Sequence, residues 1–429
     1  MALERDRRDK RREAQQWWRI FYSRLAKIFA VLLILVFVIN IVKKDGSFSE
    51  AENRVLAKRP ELTWESVKSG KYMSEFETYV SDQFFARNQW ITLKLYEDKL
   101  LGKKESNGVY LGKKGWLMEV PDKPDWKNVE RNVKSMASFA DNHAGIPVYM
   151  SLVPNAAYIM KDKMPYGAPS RDQAADIKKV EEIAGDSLKK IDVTGVLKKH
   201  AGEDIYYKTD HHWTSLGAYY AFGELAKEMN IQNPEDSYNI YTVADDFQGT
   251  LASKSGYHKS KDVVQVYEPK DLNIEYIVMY VEEGEKTTSI YDSESLKEKD
   301  KYTVFFGGNH ARIDISTTQK ERRNLLLFKD SYANCMVQFL LPYYQNIVIV
   351  DPRYFYESVD NIIRSYSITD ILFLYNVNTF LGDNSIADVL AEEPQSRDEK
   401  SAGQEEGSGE EGTEDGEGNN GGEVEGNGN

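Results

Sequence analysis

Two patterns of hydrophobic and polar residues alternate along most of residues 109–391. Stretches with apolar residues on one helical face predict helices, and they separate short runs in which almost every residue is apolar. Such runs predict strands buried on both faces, as in a parallel sheet covered by helices. The predicted helices cover 129–142, 172–183, 215–229, 331–341 and 356–366, and the predicted strands cover 147–153, 191–193, 325–328, 346–350 and 371–375. The pattern therefore predicts an α/β domain with a parallel sheet and helices on both faces.

Three other segments depart from this alternation. Residues 45–108 carry aromatic and aliphatic residues at helical spacing and predict a helical lead-in that packs on the domain. Residues 109–118 predict two short strands around a glycine-containing turn. Residues 238–323 are rich in Tyr, Val, Thr, Gly and charged residues, and we interpret them as a β-rich insertion.

The N-terminus joins a basic segment to an apolar one. Residues 1–27 contain nine basic and four acidic residues, and residues 28–42 are apolar except for Asn40. Fifteen helical residues span only about 22 Å, but neighbouring aromatic residues and snorkelling basic side chains extend the usable helix. We expect a transmembrane signal anchor over 28–44, with residues 1–27 in the cytoplasm, because basic flanks stay inside. A cleaved signal peptide and a buried helix of a soluble protein are the alternatives.

The C-terminus is strongly acidic. Residues 392–429 hold thirteen acidic residues, two basic residues and no aromatic residue, so we expect a disordered tail. Most of the formal net charge of −14 belongs to this tail. Residues 28–391 also have a net negative charge, which argues against nucleic-acid binding. Cys335 is the only cysteine, which excludes an intramolecular disulfide and a cysteine-based zinc site.

Two segments place reactive side chains where strands meet helices, which is where open α/β sheets collect their reactive groups. The first contains Asp210, His211 and His212, and the second places Ser331 directly after a predicted strand. A serine hydroxyl needs a base to accept its proton, and that base needs a third group to hold its tautomer. Asp210 and His212 alternate, so both project to one side of an extended loop. An N-cap role for Ser331 and a simple hydrogen-bonded histidine loop are the alternatives.

The same residues carry a resemblance to a known family. Asp-His-His-Trp at 210–213 resembles the signature of the DHHW family, which is similar to the alginate O-acetyltransferase J and X proteins of the SGNH-hydrolase-like group. The resemblance extends over most of residues 48–385 and includes Lys-Asp-Ser-Tyr at 329–332. It implies a flavodoxin-like SGNH fold and a catalytic triad of Ser331, His212 and Asp210. We predict neither a metal nor a cofactor at this site.

The resemblance also implies an activity. A bacterial, membrane-anchored enzyme with an extracellular catalytic domain would transfer or hydrolyse O-acetyl groups of a cell-surface polysaccharide through an acyl-enzyme. A membrane-bound O-acyltransferase would supply the acyl groups. Two departures from the family pattern matter: Lys329 stands where many hydrolases have glycine, and no Gly-x-Asn-Asp element supplies an oxyanion asparagine. The candidates for binding the oxyanion or the substrate are Asn309, Asn155 and Tyr332.

Two other functions stay open at this point. Asp-His-His also begins a metal-binding motif, and a metal-dependent phosphoesterase would need further ligands, for which the sequence offers Asp192, Asp351, His258 and His310. A non-catalytic polysaccharide-binding surface protein would instead stack sugars on aromatic residues such as Trp116 and Trp213.

Overall fold

The computed structural model describes residues 2–49, 54–121, 123–232, 237–270 and 274–391. Within these ranges the strands are β1 (Phe48–Ser49), β2 (Arg54–Val55), β3 (Glu105–Ser106), β4 (Val109–Leu111), β5 (Leu117–Glu119), β6 (Val148–Val153), β7 (Lys189–Lys190), β8 (Tyr238–Phe247), β9 (Asp262–Pro269), β10 (Tyr276–Tyr280), β11 (Glu285–Thr287), β12 (Arg312–Thr317), β13 (Asn324–Lys329), β14 (Asn346–Val350) and β15 (Asp370–Asn376). The α-helices are α1 (Ala2–Val42), α2 (Trp64–Lys68), α3 (Lys71–Asp82), α4 (Arg87–Leu100), α5 (Trp126–Asn142), α6 (Ala156–Ile159), α7 (Gln173–Ala184), α8 (Thr194–Lys199), α9 (Ser215–Glu228), α10 (Thr250–Ser255), α11 (Val337–Leu340), α12 (Val359–Tyr366), α13 (Val377–Gly382) and α14 (Ile386–Val389). The segment 392–429, for which we predict disorder, lies outside the described residues.

An eight-stranded mixed sheet forms the centre of the body, in the order β11-β10-β12-β14-β13-β15-β6-β7. From β14 to β7 the neighbouring strands are parallel, whereas β12, β10 and β11 extend the β14 edge in antiparallel fashion. The prediction of a wholly parallel sheet is therefore wrong at this edge. The three added strands come from the stretch 238–323, so part of the expected insertion belongs to the central sheet. Antiparallel neighbours need no crossover helix, which is why this stretch lacks the helix–strand alternation.

Helices cover both faces of the sheet, as predicted. Leu326 and Phe328 of β13 face a core shared with α5, α7, α12 and α13. Leu325 and Leu327 face the opposite core, which includes residues of α9 and α11. Every residue of β6, β13 and β15 is buried, and this explains the uninterrupted apolar runs in the sequence.

Two predicted elements differ from the observed ones. The helix expected over 331–341 is a 3-10 turn, Ser331–Cys335, followed by the four-residue α11 and a second 3-10 turn, Leu341–Tyr343, that contains Pro342. The strand expected over 191–193 lies earlier, at Lys189–Lys190, because these residues pair with β6. The predicted hairpin over 109–118 is present as β4 and β5, and the lead-in contains α2, α3 and α4.

The first helix contains the apolar N-terminal run. Its part Gln15–Val42 is the one helix among the described residues that is long and apolar enough to cross a membrane. No residue in the most apolar part of this helix is buried inside the protein. A core helix of a soluble protein would be covered, so that alternative does not fit.

Candidate active site

The turn after β13 presents Ser331 at the carboxyl end of a central strand. Asp330 caps the turn: one carboxylate oxygen accepts the Tyr332 N–H at 3.0 Å, and the other accepts the Asn376 N–H at 3.0 Å from the end of β15. Burial raises the pKa of Asp330 to about 6. The cap connects two neighbouring strand ends, and Ser331 follows it as the first, half-buried residue of the turn.

The loop that carries the two histidines is bridged at its base and hydrogen-bonded to the turn that carries Ser331. Tyr206 pairs with Trp213 across the loop. The Trp213 indole N–H donates to the Tyr332 carbonyl at 2.8 Å, and the Tyr332 hydroxyl donates to the carbonyl of His211. These two bonds hold together segments that lie 119 residues apart in the chain.

Ser331, His212 and Asp210 form one hydrogen-bonded chain. The Ser331 Oγ lies 2.7 Å from His212 Nε2, and His212 Nδ1 lies 2.6 Å from Asp210 Oδ1. In the neutral imidazole, Nδ1–H donates to the carboxylate and Nε2 accepts the serine proton. His212 is 5% exposed and Asp210 only 1%, so the chain lies in a largely water-free setting. This is the geometry that serine activation requires.

Two residues that sequence reasoning missed, Thr250 and Gly249, hold the far side of Asp210. The Asp210 Oδ2 accepts the Thr250 N–H at 2.8 Å and the Thr250 hydroxyl at 3.0 Å. That hydroxyl in turn accepts a bond from His211 Nδ1 at 2.7 Å. Gly249 packs so closely that a Cβ there would lie 2.2 Å from Asp210 Oδ2. Both residues are 39 or 40 positions away from Asp210, and no local motif signals the contact.

Burial and hydrogen bonding set the charge states of the pair. Burial favours the neutral carboxyl of Asp210, but the two neighbouring histidines and the Thr250 N–H outweigh it and hold the pKa well below its usual range. For His212, burial and the neighbouring His211 lower the pKa to about 4, against the raising effect of Asp210. At neutral pH the imidazole is therefore a free base beside an ionised carboxylate.

Tyr302 is a third residue that the sequence did not indicate. Its ring stacks on the His212 imidazole with centroids 3.8 Å apart and an interplanar angle of 13°. Its hydroxyl donates to the Ser331 carbonyl at 2.8 Å. Tyr302 thus contacts both the base and the serine, and it comes from the stretch interpreted as an insertion.

The three further candidates occupy different positions. Asn155 follows β6 and caps α6, with its Oδ1 accepting the Tyr158 N–H at 3.3 Å. Tyr332 is 1% exposed, and both its hydroxyl and its N–H bond to protein atoms, so neither is available to a substrate. Asn309 is exposed, and its Oδ1 accepts bonds from Lys329 Nζ and Asn334 Nδ2.

The two alternative functions find less support in this geometry. Asp210, His211 and His212 form the one cluster of potential metal ligands among the described residues. However, both ring nitrogens of His212 are engaged, by Asp210 and by Ser331. Trp116 and Trp213, considered for sugar stacking, are 3% and 0% exposed and belong to the core.

The remaining ligands considered for a metal lie elsewhere in the structure. Asp192 accepts the Thr194 N–H at the start of α8, and Asp351 pairs with Lys329 and Arg353. His310 bonds Glu283 and the Phe306 carbonyl, and His258 belongs to a cavity lined by Lys299. None of these side chains joins the cluster at 210–212.

The fold and the site define a class of protein: an α/β domain with a hydrogen-bonded serine–histidine–aspartate chain at the carboxyl end of its sheet. Residues 127–350, about half of the chain, match the family described as DHHW protein. The chain belongs to this family. The Asp-His-His-Trp sequence at 210–213 lies within the matched region.

Known proteins similar to this chain include one curated sequence and several solved structures. "Probable alginate O-acetylase AlgJ" of Pseudomonas fluorescens is 24% identical over 182 residues, which are 39% of this chain and 45% of the relative. The match thus spans less than half the length of that relative. A DHHW family protein from Eubacterium siraeum has a TM-score of 0.59 and 24% identity over 68% of this chain and 98% of its own. PatB1 of Bacillus cereus, solved with a sulfonyl adduct, has a TM-score of 0.56 and 20% identity over 66% and 97%. At these identities the two structures show a shared fold.

Proposed function

We propose that this protein is a serine O-acetyltransferase or acetylesterase of the SGNH type that acts on a cell-surface polysaccharide. The observation that carries the proposal is the hydrogen-bonded chain from Ser331 through His212 to Asp210. Membership of the DHHW family and similarity to a relative named as a probable alginate O-acetylase support the choice of acetyl groups and polysaccharide.

The proposed reaction has two halves. Ser331 Oγ attacks the acyl carbonyl while His212 Nε2 takes the hydroxyl proton, and Asp210 stabilises the imidazolium that forms. The tetrahedral intermediate collapses when His212 returns the proton to the leaving oxygen, which leaves the acyl group on the serine. A sugar hydroxyl or water then attacks this ester, with His212 again accepting and returning the proton. The acyl group ends on the sugar or as the free acid.

Negative charge on the carbonyl oxygen needs donors during both halves. We propose Asn309 for this role, because its Nδ2 makes no hydrogen bond to any of the described residues and its side chain is exposed. The N–H of Ser331 is a second donor, since it opens the turn and has no acceptor inside it.

The test uses the full-length protein in detergent and a chromogenic acetyl ester. The wild-type protein is expected to hydrolyse the ester, and Ser331→Ala is expected to lose at least about 10³-fold in kcat. A sulfonyl fluoride should add one mass adduct to the wild-type protein and none to Ser331→Ala. Equal rates for the two proteins would defeat the proposal.

We also propose that α1 anchors the protein in a bacterial cell membrane, with the basic residues 1–27 inside and the body outside. The charge excess before the apolar run supports this orientation. A membrane-bound O-acyltransferase is the proposed source of acyl groups. Protease added to intact cells should degrade the body, and protection of the body would contradict the orientation.

A further inference from the structure

Lys329 is a buried lysine next to the proposed nucleophile. It is the last residue of β13, two positions before Ser331, and it is 1% exposed. Moving an ammonium group out of water costs several kcal/mol unless partners compensate. Burial lowers the pKa of Lys329, and the nearby Asp351 carboxylate counteracts part of this effect. The cost of burying this lysine therefore suggests that it has a specific role.

Pairing with Asp351 does not by itself supply the reason for burying Lys329. Asp351 is fully buried and already pairs with Arg353, which donates through Nε at 2.8 Å and through Nη2 at 2.6 Å. The Lys329 Nζ lies farther from the same carboxylate, at 3.3 Å. The Asp351 carboxylate balances only one of these two cations, and the buried Asp330 next in the chain raises the pKa of Lys329 less than Asp351 does.

The other contact of Lys329 points to its role. Its Nζ donates to Asn309 Oδ1 at 3.2 Å. The same oxygen lies 3.4 Å from Asn334 Nδ2. Asn334 stands three residues after Ser331 in the 3-10 turn, and side chains at this spacing lie on one face of such a turn. The Asn309 amide therefore contacts the face of the turn on which Ser331 also lies, with its oxygen towards two donors.

This arrangement determines which end of the Asn309 amide is free. A cation at Oδ1 strongly disfavours the flipped amide, because the flip would bring the Nδ2 hydrogens against the ammonium group. Asn309 lies directly after a loop whose residues Phe306, Gly307 and Gly308 all have positive φ, so the segment that leads into it has a backbone conformation that residues other than glycine rarely adopt.

We propose that Lys329 is a positioning residue that fixes the Asn309 side chain with its N–H donors towards the acyl oxygen at Ser331. This inference rests on the proposed acyl-transfer function and deepens it. Asp351 and Arg353 hold Lys329 in place, and Asn309, not Lys329, contacts the reacting oxygen.

The test is a double-mutant cycle on ester hydrolysis by the full-length protein. Asn309→Ala is expected to lower kcat about 10²-fold with little change in KM, because the bond exists mainly in the transition state. Lys329→Met, which removes the charge but keeps the length, is expected to lower kcat about 10- to 100-fold. The double variant should lie within about 3-fold of Asn309→Ala, because the lysine acts only through the asparagine.

Arg323 provides a matched control at the other end of the same strand. It precedes β13 and pairs with Asp370 at 2.7 Å. Arg323→Met should lower the unfolding temperature and leave kcat of the remaining folded protein unchanged. Should Lys329→Met not fold, the shorter and neutral Lys329→Gln takes its place, with the same expected loss.

The outcomes separate the two proposals. Wild-type kcat in folded Lys329→Met, or losses that multiply in the double variant, would overturn the inference while the dependence on Ser331 keeps the proposed function. Absence of hydrolysis by the wild-type protein would overturn both.

Discussion

Gly249 offers a sharp perturbation of the site because it touches Asp210 and nothing in its own backbone forbids alanine. Its φ of −79° is open to any residue, so the replacement Gly249→Ala adds no backbone strain. The added Cβ would lie 2.2 Å from Asp210 Oδ2, 2.3 Å from its Cβ and 2.6 Å from its Cγ. Rotation of the carboxylate relieves only part of this clash, because the Asp210 Cβ is also too close.

The size of the displacement follows from these distances. Ordinary contact begins at 3.4 Å, so the carboxylate oxygen must retreat by about 1.2 Å. The Thr250 bonds at 2.8 and 3.0 Å and the His212 bond at 2.6 Å do not all survive such a shift. A misplacement of about 1 Å costs about 10²-fold in rate, and overpacking costs about 1–3 kcal/mol of stability.

The assay compares kcat on a chromogenic acetyl ester with the thermal unfolding temperature. Gly223→Ala is the matched control, because Gly223 lies in α9 with no atom within 4 Å of its added Cβ. We expect unchanged kcat there and up to about 1 kcal/mol of added stability. A folded Gly249→Ala protein with wild-type kcat would refute the idea that Asp210 sets the position of His212.

Three further predictions concern the histidine and its neighbours. Because His212 must be neutral to accept a proton and its pKa is about 4, kcat/KM should stay constant from pH 8 to about 5 and then fall, whereas a fall near pH 6.5 would contradict this environment. The low pKa of His212 also makes the free energy of unfolding depend on pH: it is highest above about pH 6.5, and it falls as the pH falls towards 4 because the unfolded chain then binds a proton that the folded protein does not. Denaturant titrations at pH 7 and pH 4.5 should therefore show that the wild-type protein loses about 2–3 kcal/mol of stability that His212→Gln does not lose. Tyr302→Phe keeps the stacking but loses the bond to the Ser331 carbonyl, so kcat should fall about 3- to 10-fold, and Tyr302→Leu should fall further; equal rates for both variants would show that the stacking is unimportant.

Much of the architecture could be predicted because local patterns carried it. The central residues of strands such as β13 and β14 are apolar since both faces of these strands are covered, and this signal needs no knowledge of partners. The direction of β10–β12 could not be predicted in this way. Most residues of β10 are half-buried and β12 mixes buried, half-buried and exposed residues, and that pattern fits a separate hairpin as well as an antiparallel edge of the central sheet.

The candidate site divides along the same line. Asp210, His212 and Ser331 could be proposed from the sequence, because their residue types, their places near strand ends and the resemblance at 210–213 all act locally. That the serine lies 2.7 Å from the imidazole is a property of the folded chain.

The residues that support these three can be identified only in the folded protein. Thr250 and Gly249 contact Asp210, which lies about 40 residues earlier in the chain. Tyr302 stacks its ring on His212 and donates its hydroxyl to the Ser331 carbonyl. Threonine, glycine and tyrosine are common in any chain, and nothing in their local sequence marks a partner. Such roles depend on the positions of side chains to within about 1 Å, and these positions arise only when distant segments pack together. The hydrophobic pattern that directs this packing is local, so it can be recognised in the sequence.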